Sequence, residues 1–386
     1  MQRVTPVLSQ ENFLLHATIP GESSEKDYSL RVAEALETAL RLTRSTPRRR
    51  NVFQLARKRI LRYANYLMSR RQRARVLYIL GQACSDEGFY PHASDYLDEA
   101  LDHAVALHGF AESAKLAHLL GTIQGQVYCY RRAAHYHRFA LNALDEGPYP
   151  PDPALAADVA IALASCHFAL ERYNMTRYYG AIAERHISYL PPASKQLAAL
   201  QWMRAMCHRW RGEPDKGFSL ATAAAKIYGT LDSPAAQSRI EGIAADCACD
   251  LAISYATADY GRDKYLNHAR DHATRSLSLT AGGTDFTGRV LALLRQIRLA
   301  RLTGASYNWR GTAESIIRDI SATGDISLIA QAYTTLGDEF TAHDERESGL
   351  YCYRAALDVL ANSEVLHLRR WPRSAILMDG EMRVVD

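Results

Sequence analysis

The sequence predicts an all-α chain, a solenoid of about seven helix hairpins, and three observations carry that expectation. Four stretches repeat one signature: a Leu-Gly or Leu-Ala pair, then about twelve residues later a small residue, then Ala seven further on. Of the 386 residues 48% are hydrophobic but only 9% aromatic, with alanine-rich helical patterning and few β-branched runs, which favours helix over strand. Proline and glycine gather where helices should stop, at Gly147-Pro148-Tyr149-Pro150-Pro151, Pro191-Pro192, Ser233-Pro234 and Gly282-Gly283.

In chain order, residues 1–26 are expected to form a flexible segment. Residues 27–73 form basic helices that cap the solenoid, 74–362 the repeats, and 363–386 a C-terminal cap or arm. The first repeat signature reads Leu80-Gly81, Gly88-Phe89-Tyr90, Ala93 and Ala100; the second Leu120-Gly121, Tyr128, Tyr130, Ala133 and Ala140. The third is Leu163-Ala164, Tyr173, Thr176, Tyr179 and Ala183, and the last Leu336-Gly337, Phe340, Gly349, Tyr353 and Ala356. A weaker copy runs through Ala205, Gly212, Gly217 and Ala224. Two more units fit between, about Ile240–Leu279 and Thr287–Ile320, placed by spacing and apolar periodicity alone. A small residue in mid-helix lets the partner helix approach closely, and a lone hairpin cannot bury its apolar face, so the units must stack. Asp152-Pro153 and Ser233-Pro234 read as an N-cap followed by an N1 proline. After Ser363, Leu366, Leu368, Trp371 and an Asp379-Gly380 turn suggest an extended arm or terminal strand that either covers the last repeat or docks elsewhere.

This order of Leu-Gly, aromatic, Gly-x-Tyr, Ala, aromatic and Ala resembles the tetratricopeptide repeat family. The resemblance implies a right-handed α-α superhelix. The anchors Gly81, Gly121, Ala164 and Ala205 advance by about 40 to 43 residues, against 34 for the family, so longer helices or longer loops are implied. In that family the first helix of each hairpin lines a groove. Carried over, the groove positions are Arg75, Tyr78 and Gln82; Lys115 and His118; Asp158; and Trp202, Met206, Arg209 and Trp210. Arg beside Met and Trp is the composition of a binding anchor, although Trp202 and Trp210, eight apart, also fit a core-facing stripe. Some family members clamp a peptide's C-terminal carboxylate with Lys and Asn. Here Arg75, Tyr78, Gln82, Lys115, His118 and Thr122 stand at those places and the asparagines are absent, which puts that mode in doubt.

The formal net charge of +4 conceals an asymmetry. From Thr38 to Ser85 there are thirteen Arg and Lys and no acid, leaving 33 of the 46 basic residues to face all 42 acidic ones elsewhere. Arg48, Arg49, Arg50, Arg57, Lys58, Arg59 and Arg62 form its centre, beside an apolar stripe of Val52, Phe53, Ala56, Ile60 and Tyr63. Three readings stand for this patch: a solvated cap, a contact for an acidic partner, or a contact for nucleic acid. The last lacks interleaved aromatics or a recognisable RNA-binding or zinc-finger pattern.

Chemistry leaves little trace. There is no GxxxxGK(S/T), GxGxxG, HExxH or GxSxG, and Gly282-Gly283-Thr284 reads as a loop. Seven scattered cysteines read as buried free thiols. His268 and His272, four apart, lack a third ligand and read as a solvent-facing pair; Asp246 and Asp250, also four apart, read as a solvated or partner-binding face. No metal, cofactor or catalytic residue is expected. No stretch approaches a membrane span. Glu11, Glu22, Glu25 and Asp27 argue against a targeting peptide, so a soluble, cytoplasmic protein is expected, the nucleus remaining open for a eukaryotic source. The expected function is a non-catalytic adaptor or scaffold holding a peptide or helix in the groove. The alternatives are a peptide-sensing domain of a bacterial regulator and a nucleic-acid-associated protein. Oligomeric state is not legible.

Overall fold

The computed structural model describes residues 70–86, 90–255, 259–280, 286–320 and 326–361. These hold fourteen helices: α1 Arg70–Asp86, α2 Tyr90–Ala106, α3 Phe110–Gln126, α4 Tyr130–Glu146, α5 Pro153–Ala169, α6 Tyr173–Ile187 and α7 Lys195–Trp210. Then come α8 Pro214–Thr230, α9 Pro234–Ser254, α10 Tyr260–Leu279, α11 Phe286–Thr303, α12 Trp309–Ile320, α13 Ile326–Ala342 and α14 Arg346–Val359. They pair in order as seven hairpins, and no strand occurs among the described residues. The described residues up to Val127, with Tyr136–Pro151, form one compact unit; Tyr128–His135 and those from Asp152 onward form a second.

The close approaches that the signature calls for are present. A Cβ on Gly81 would stand 2.8 Å from Leu97 Cδ2, and one on Gly337 2.6 Å from the Tyr353 ring, so each glycine lets the second helix of its hairpin press on the first. The signature alanines Ala93, Ala100, Ala133, Ala140, Ala183, Ala224 and Ala356 are wholly buried. Each helix therefore packs through small residues flanked by large ones, such as Leu80, Leu97, Leu120 and Leu163, all buried.

First helices start at Arg70, Phe110, Pro153, Lys195, Pro234, Phe286 and Ile326. Longer helices, rather than longer loops, set this spacing: α1 to α4 have 17 residues each, nearly one turn more per helix than a 34-residue repeat accommodates. The connections are tight. In the three-residue links after α2, α3, α5, α7, α8 and α13 the middle residue turns left-handed: His108, Tyr128, Glu171, Gly212, Asp232 and Asp344 have φ between 49° and 76°.

Local chemistry starts the helices. The Asp152 carboxylate accepts from Ala154 N at 3.0 Å with Pro153 in the first turn, and Ser194 Oγ accepts from Leu197 N at 3.2 Å. Pro234 opens α9 without a side-chain cap from Ser233. The α9–α10 hairpin departs from the consensus for a physical reason: its helices have 21 and 20 residues and meet through polar contacts. Ser238 Oγ donates to the Ser276 carbonyl at 2.8 Å and Ser276 Oγ to the Ser238 carbonyl at 2.9 Å, both serines being fully buried.

One contact in the second unit is far from local. Tyr128, itself left-handed, accepts a hydrogen bond from Ser327 N at 3.2 Å, and Tyr128, Tyr130 and Ile326 pack on Ala330 and Leu360.

Candidate functional site

Each expected groove position lies on a first helix. In the first unit, α1 exposes Arg75 and Gln82, while Tyr78 packs on the cluster around Leu77, Leu97 and Leu120. Lys115 on α3 is exposed and His118 half-buried. His118 Nδ1 lies 3.2 Å from Nδ1 of His137 on α4. Burial first, and the His118 ring second, push the His137 pKa down to about 3, so that imidazole is neutral at ordinary pH.

In the second unit, Asp158 on α5 faces the start of α7: Lys195 Nζ is 3.6 Å away and Gln196 Nε2 donates to it at 3.2 Å. Trp202 turns to the α7–α8 contact, edge-on to Tyr228 at 6.4 Å, and with Met206 it packs on the alanine-lined cluster there. Arg209 and Trp210 close α7, the guanidinium 6.0 Å from the indole centroid.

Arg209 also opens onto a charged cluster that spans three successive first helices. Its Nε donates to Asp250 on α9 at 2.7 Å, and its Nη1 lies 3.5 Å from Asp246 one turn earlier. From the other side, α11 sends Arg295, whose Nε donates to Asp246 at 3.1 Å, and Arg298, which pairs with Asp250 and lies 3.6 Å from Asp246. Exposure of the five side chains runs from 11% at Arg295 to 27% at Asp250. Burial alone would raise the Asp246 pKa, but Arg295, Arg209 and Arg298 together outweigh it and hold the carboxyl below its usual range. Burial likewise opposes the charge on Arg209, and the two aspartates more than offset it.

The alternation continues along the chain. Arg301 on α11 meets Glu339 on α13 at 3.3 Å and Asp338 at 4.0 Å. First helices thus present acid on α5, base on α7, acid on α9, base on α11 and acid on α13. Such pairing fixes the register of neighbouring hairpins. Three guanidinium groups also surround only two carboxylates in the cluster, which leaves N–H donors and one positive charge for an incoming group.

The other sequence candidates behave differently. Asp246 and Asp250, expected to be solvated or partner-facing, are partly buried ion-pair partners. His268 and His272 are not a solvent-facing pair: His272 is buried and bonded through Nδ1 to the Glu241 carboxylate, while His268 is half-buried against Phe218. No disulfide joins the seven cysteines, all of them among the described residues, and burial pushes Cys207 and Cys247 up to about 12 and Cys249 and Cys352 to about 11, which removes thiolate nucleophilicity at those four. Among the described residues no three His, Cys, Asp or Glu are placed to hold a metal, and no described helix is long and apolar enough to cross a membrane. The basic patch of Arg48, Arg49, Arg50, Arg57, Lys58, Arg59 and Arg62, the Gly282-Gly283 loop and the C-terminal arm lie outside the described residues.

Arg295 and Arg298 were not anticipated. Their three-residue spacing on one helix face, matched to the four-residue Asp246/Asp250 spacing, was the available signal. Gly242 is the other: a Cβ there would stand 2.9 Å from Arg295 Nε and closer to the rest of the guanidinium.

No protein-family model matches the chain, and no curated protein matches it in sequence. Solved structures do. The chain is similar to a Rap protein complexed with competence and sporulation factor at 12% identity and a TM-score of 0.63, covering 91% of this chain and 90% of that one. It is similar to the quorum sensor NprR from B. thuringiensis in its apo form, at 13% identity, TM-score 0.61 and coverage of 91% and 97%. NprR in complex with its cognate peptide NprX matches at 10% identity, TM-score 0.51 and coverage of 92% and 98%. Human IFIT1 as a dimer with m7Gppp-AAAA matches at 12% identity, TM-score 0.53 and coverage of 98% and 87%. Identities this low show the fold, and the fold is that of the tetratricopeptide-like helical-repeat solenoids.

Proposed function

We propose that this chain is a non-catalytic binding protein, an adaptor or regulator that holds a peptide or a helix of a protein partner on its first-helix face, anchored from α7 to α11. The observation that carries this reading is the Arg209, Asp246, Asp250, Arg295 and Arg298 cluster beside Trp210. Guanidinium donors in excess orient a chain's carbonyls and carboxylates, and an adjacent indole buries area at low entropic cost. Two of the similar structures, the Rap complex and NprR with NprX, hold a bound factor or peptide, which supports a peptide-sized occupant.

The test is affinity capture from lysate of the native cell with the intact chain and with Arg209→Ala, each checked for unchanged helicity by circular dichroism, with and without nuclease. A discrete polypeptide that survives nuclease and is reduced at least tenfold by Arg209→Ala is expected. Retention of nothing but nuclease-sensitive material would replace this reading with the nucleic-acid one.

A further inference from the structure

Between the α7–α8 and α9–α10 hairpins, lined mainly by their second helices with His208 of α7 and Leu251 of α9, lies a cleft that the first-helix cluster does not use. It is open to solvent, with a volume of about 500 Å³, within the range of small-molecule sites. Its wall is aromatic. Phe218 of α8 meets Tyr265 of α10 edge to face at 6.3 Å, and the His268 ring sits 5.6 Å from Phe218 and 6.2 Å from Tyr265. The wall is braced from behind, because the buried His272 ring, bonded to Glu241, stands perpendicular to Phe218 at 5.5 Å. Phe218, Tyr265 and His268 are all half-buried, so part of each ring faces the cleft.

Charge at the cleft is unevenly answered. Glu213, at the start of α8, is shared by His208 at 2.7 Å, Lys216 at 3.2 Å and Arg211 at 3.5 Å. Asp215 is the one carboxylate that lines the cleft itself. Lys264 on α10 makes no ion pair among the described residues; its exposed ammonium lies 5.7 Å from the Tyr265 centroid. Among the residues that line the cleft, two cations, Lys216 and Lys264, therefore stand against the one carboxylate of Asp215, with the imidazoles of His208 and His268 as further donors. An aromatic corner with surplus cations at its edge suits one kind of occupant, an anionic group on an aromatic ring.

We infer that this cleft binds a small aromatic anion, its ring against Phe218 and Tyr265 and its carboxylate or phosphate at Lys264 and His268. The inference is independent of the peptide reading, since none of these residues belongs to the α7–α11 cluster. The test is calorimetric titration of the full chain with three probes: 1-naphthoate, 1-naphthyl phosphate and neutral 1-naphthalenemethanol. At least one anion should bind about tenfold more tightly than the alcohol, the loss expected for one charge-assisted contact, and the preferred anion tells carboxylate from phosphate. Lys264→Met, on an exposed side chain that folding does not need, should remove that preference and leave the alcohol unchanged; Phe218→Leu should weaken all three. Equal binding of anions and alcohol, no binding by any probe, or a preference that survives Lys264→Met would overturn the inference.

Discussion

The guanidinium of Arg295 lies against Gly242, in the space that any side chain at that position would occupy. This contact lets α11 reach across α9 to Asp246, so one absent methyl group underlies the charged cluster. Gly242→Ala should therefore displace Arg295 and destabilise the chain by about 1–2 kcal/mol, overpacking outweighing the helix-propensity gain. Gly180→Ala is the control. Its new Cβ would meet only Met203 Cε at 3.7 Å and Leu200 Cδ1 at 4.0 Å, ordinary contacts, and it should stabilise by about 0.5–1 kcal/mol. Chemical denaturation of both variants checks the opposite signs.

Asp246 answers three arginines while only 13% exposed. Asp246→Asn should cost about 3 kcal/mol by leaving partly buried guanidinium charge uncompensated. Its folded pKa lies below the ordinary value, so its contribution is present above that ordinary value and is lost as pH falls through the lower folded one. The variant's stability should accordingly depend less on pH below about 4 than the wild type's, measured by denaturation across that range.

His137 sits over Gly121 as Leu97 sits over Gly81, sixteen residues on in each case, and a Cβ on Gly121 would be 2.7 Å from its Nε2. The folded chain keeps this ring neutral down to about pH 3. An unfolded histidine takes up its proton near pH 6.5, so stability is lost as pH falls from there, about 2 kcal/mol by pH 5. His137→Leu should fill the same place and remove that loss. Equal acid sensitivity in the variant and the wild type would count against a buried neutral imidazole.

Glu339 shows the converse. Burial first, opposed by Arg301 and aided by Asp338, raises its carboxyl to about 7. A carboxylate raised in this way lowers stability as pH climbs from its unfolded value toward 7, by on the order of 3 kcal/mol in full. Glu339→Gln should be the more stable protein at pH 8 and show little difference at pH 4, which thermal unfolding at the two pH values resolves.

The hairpins were legible because close packing leaves a residue-type signature: only Gly fits where Leu97 or Tyr353 crosses, and buried alanines recur along the facing helices. The α9–α10 hairpin was placed by spacing and apolar periodicity alone, since paired serines and the Glu241–His272 contact do there what glycine and alanine do elsewhere. The charged cluster was legible only in halves. Asp246 and Asp250 stand 49 and 48 residues from Arg295 and Arg298 on α11, and nothing local records which turn of α11 meets which turn of α9. Arg209 was visible because the resemblance supplied its face. Trp202 was ambiguous for the same reason that hydrophobic spacing is: one period serves both the core and a groove edge.

Tyr128 and Ser327 meet across 199 residues, whereas the cross-hairpin contacts join residues tens apart. Closing a flexible loop of that span costs about 1.5 kcal/mol more than closing one of 38, so this contact belongs late in assembly, after the hairpins between have ordered. A spectroscopic probe on Tyr128 would accordingly signal completion of the intervening chain, lagging behind the growth of helicity rather than following it in step.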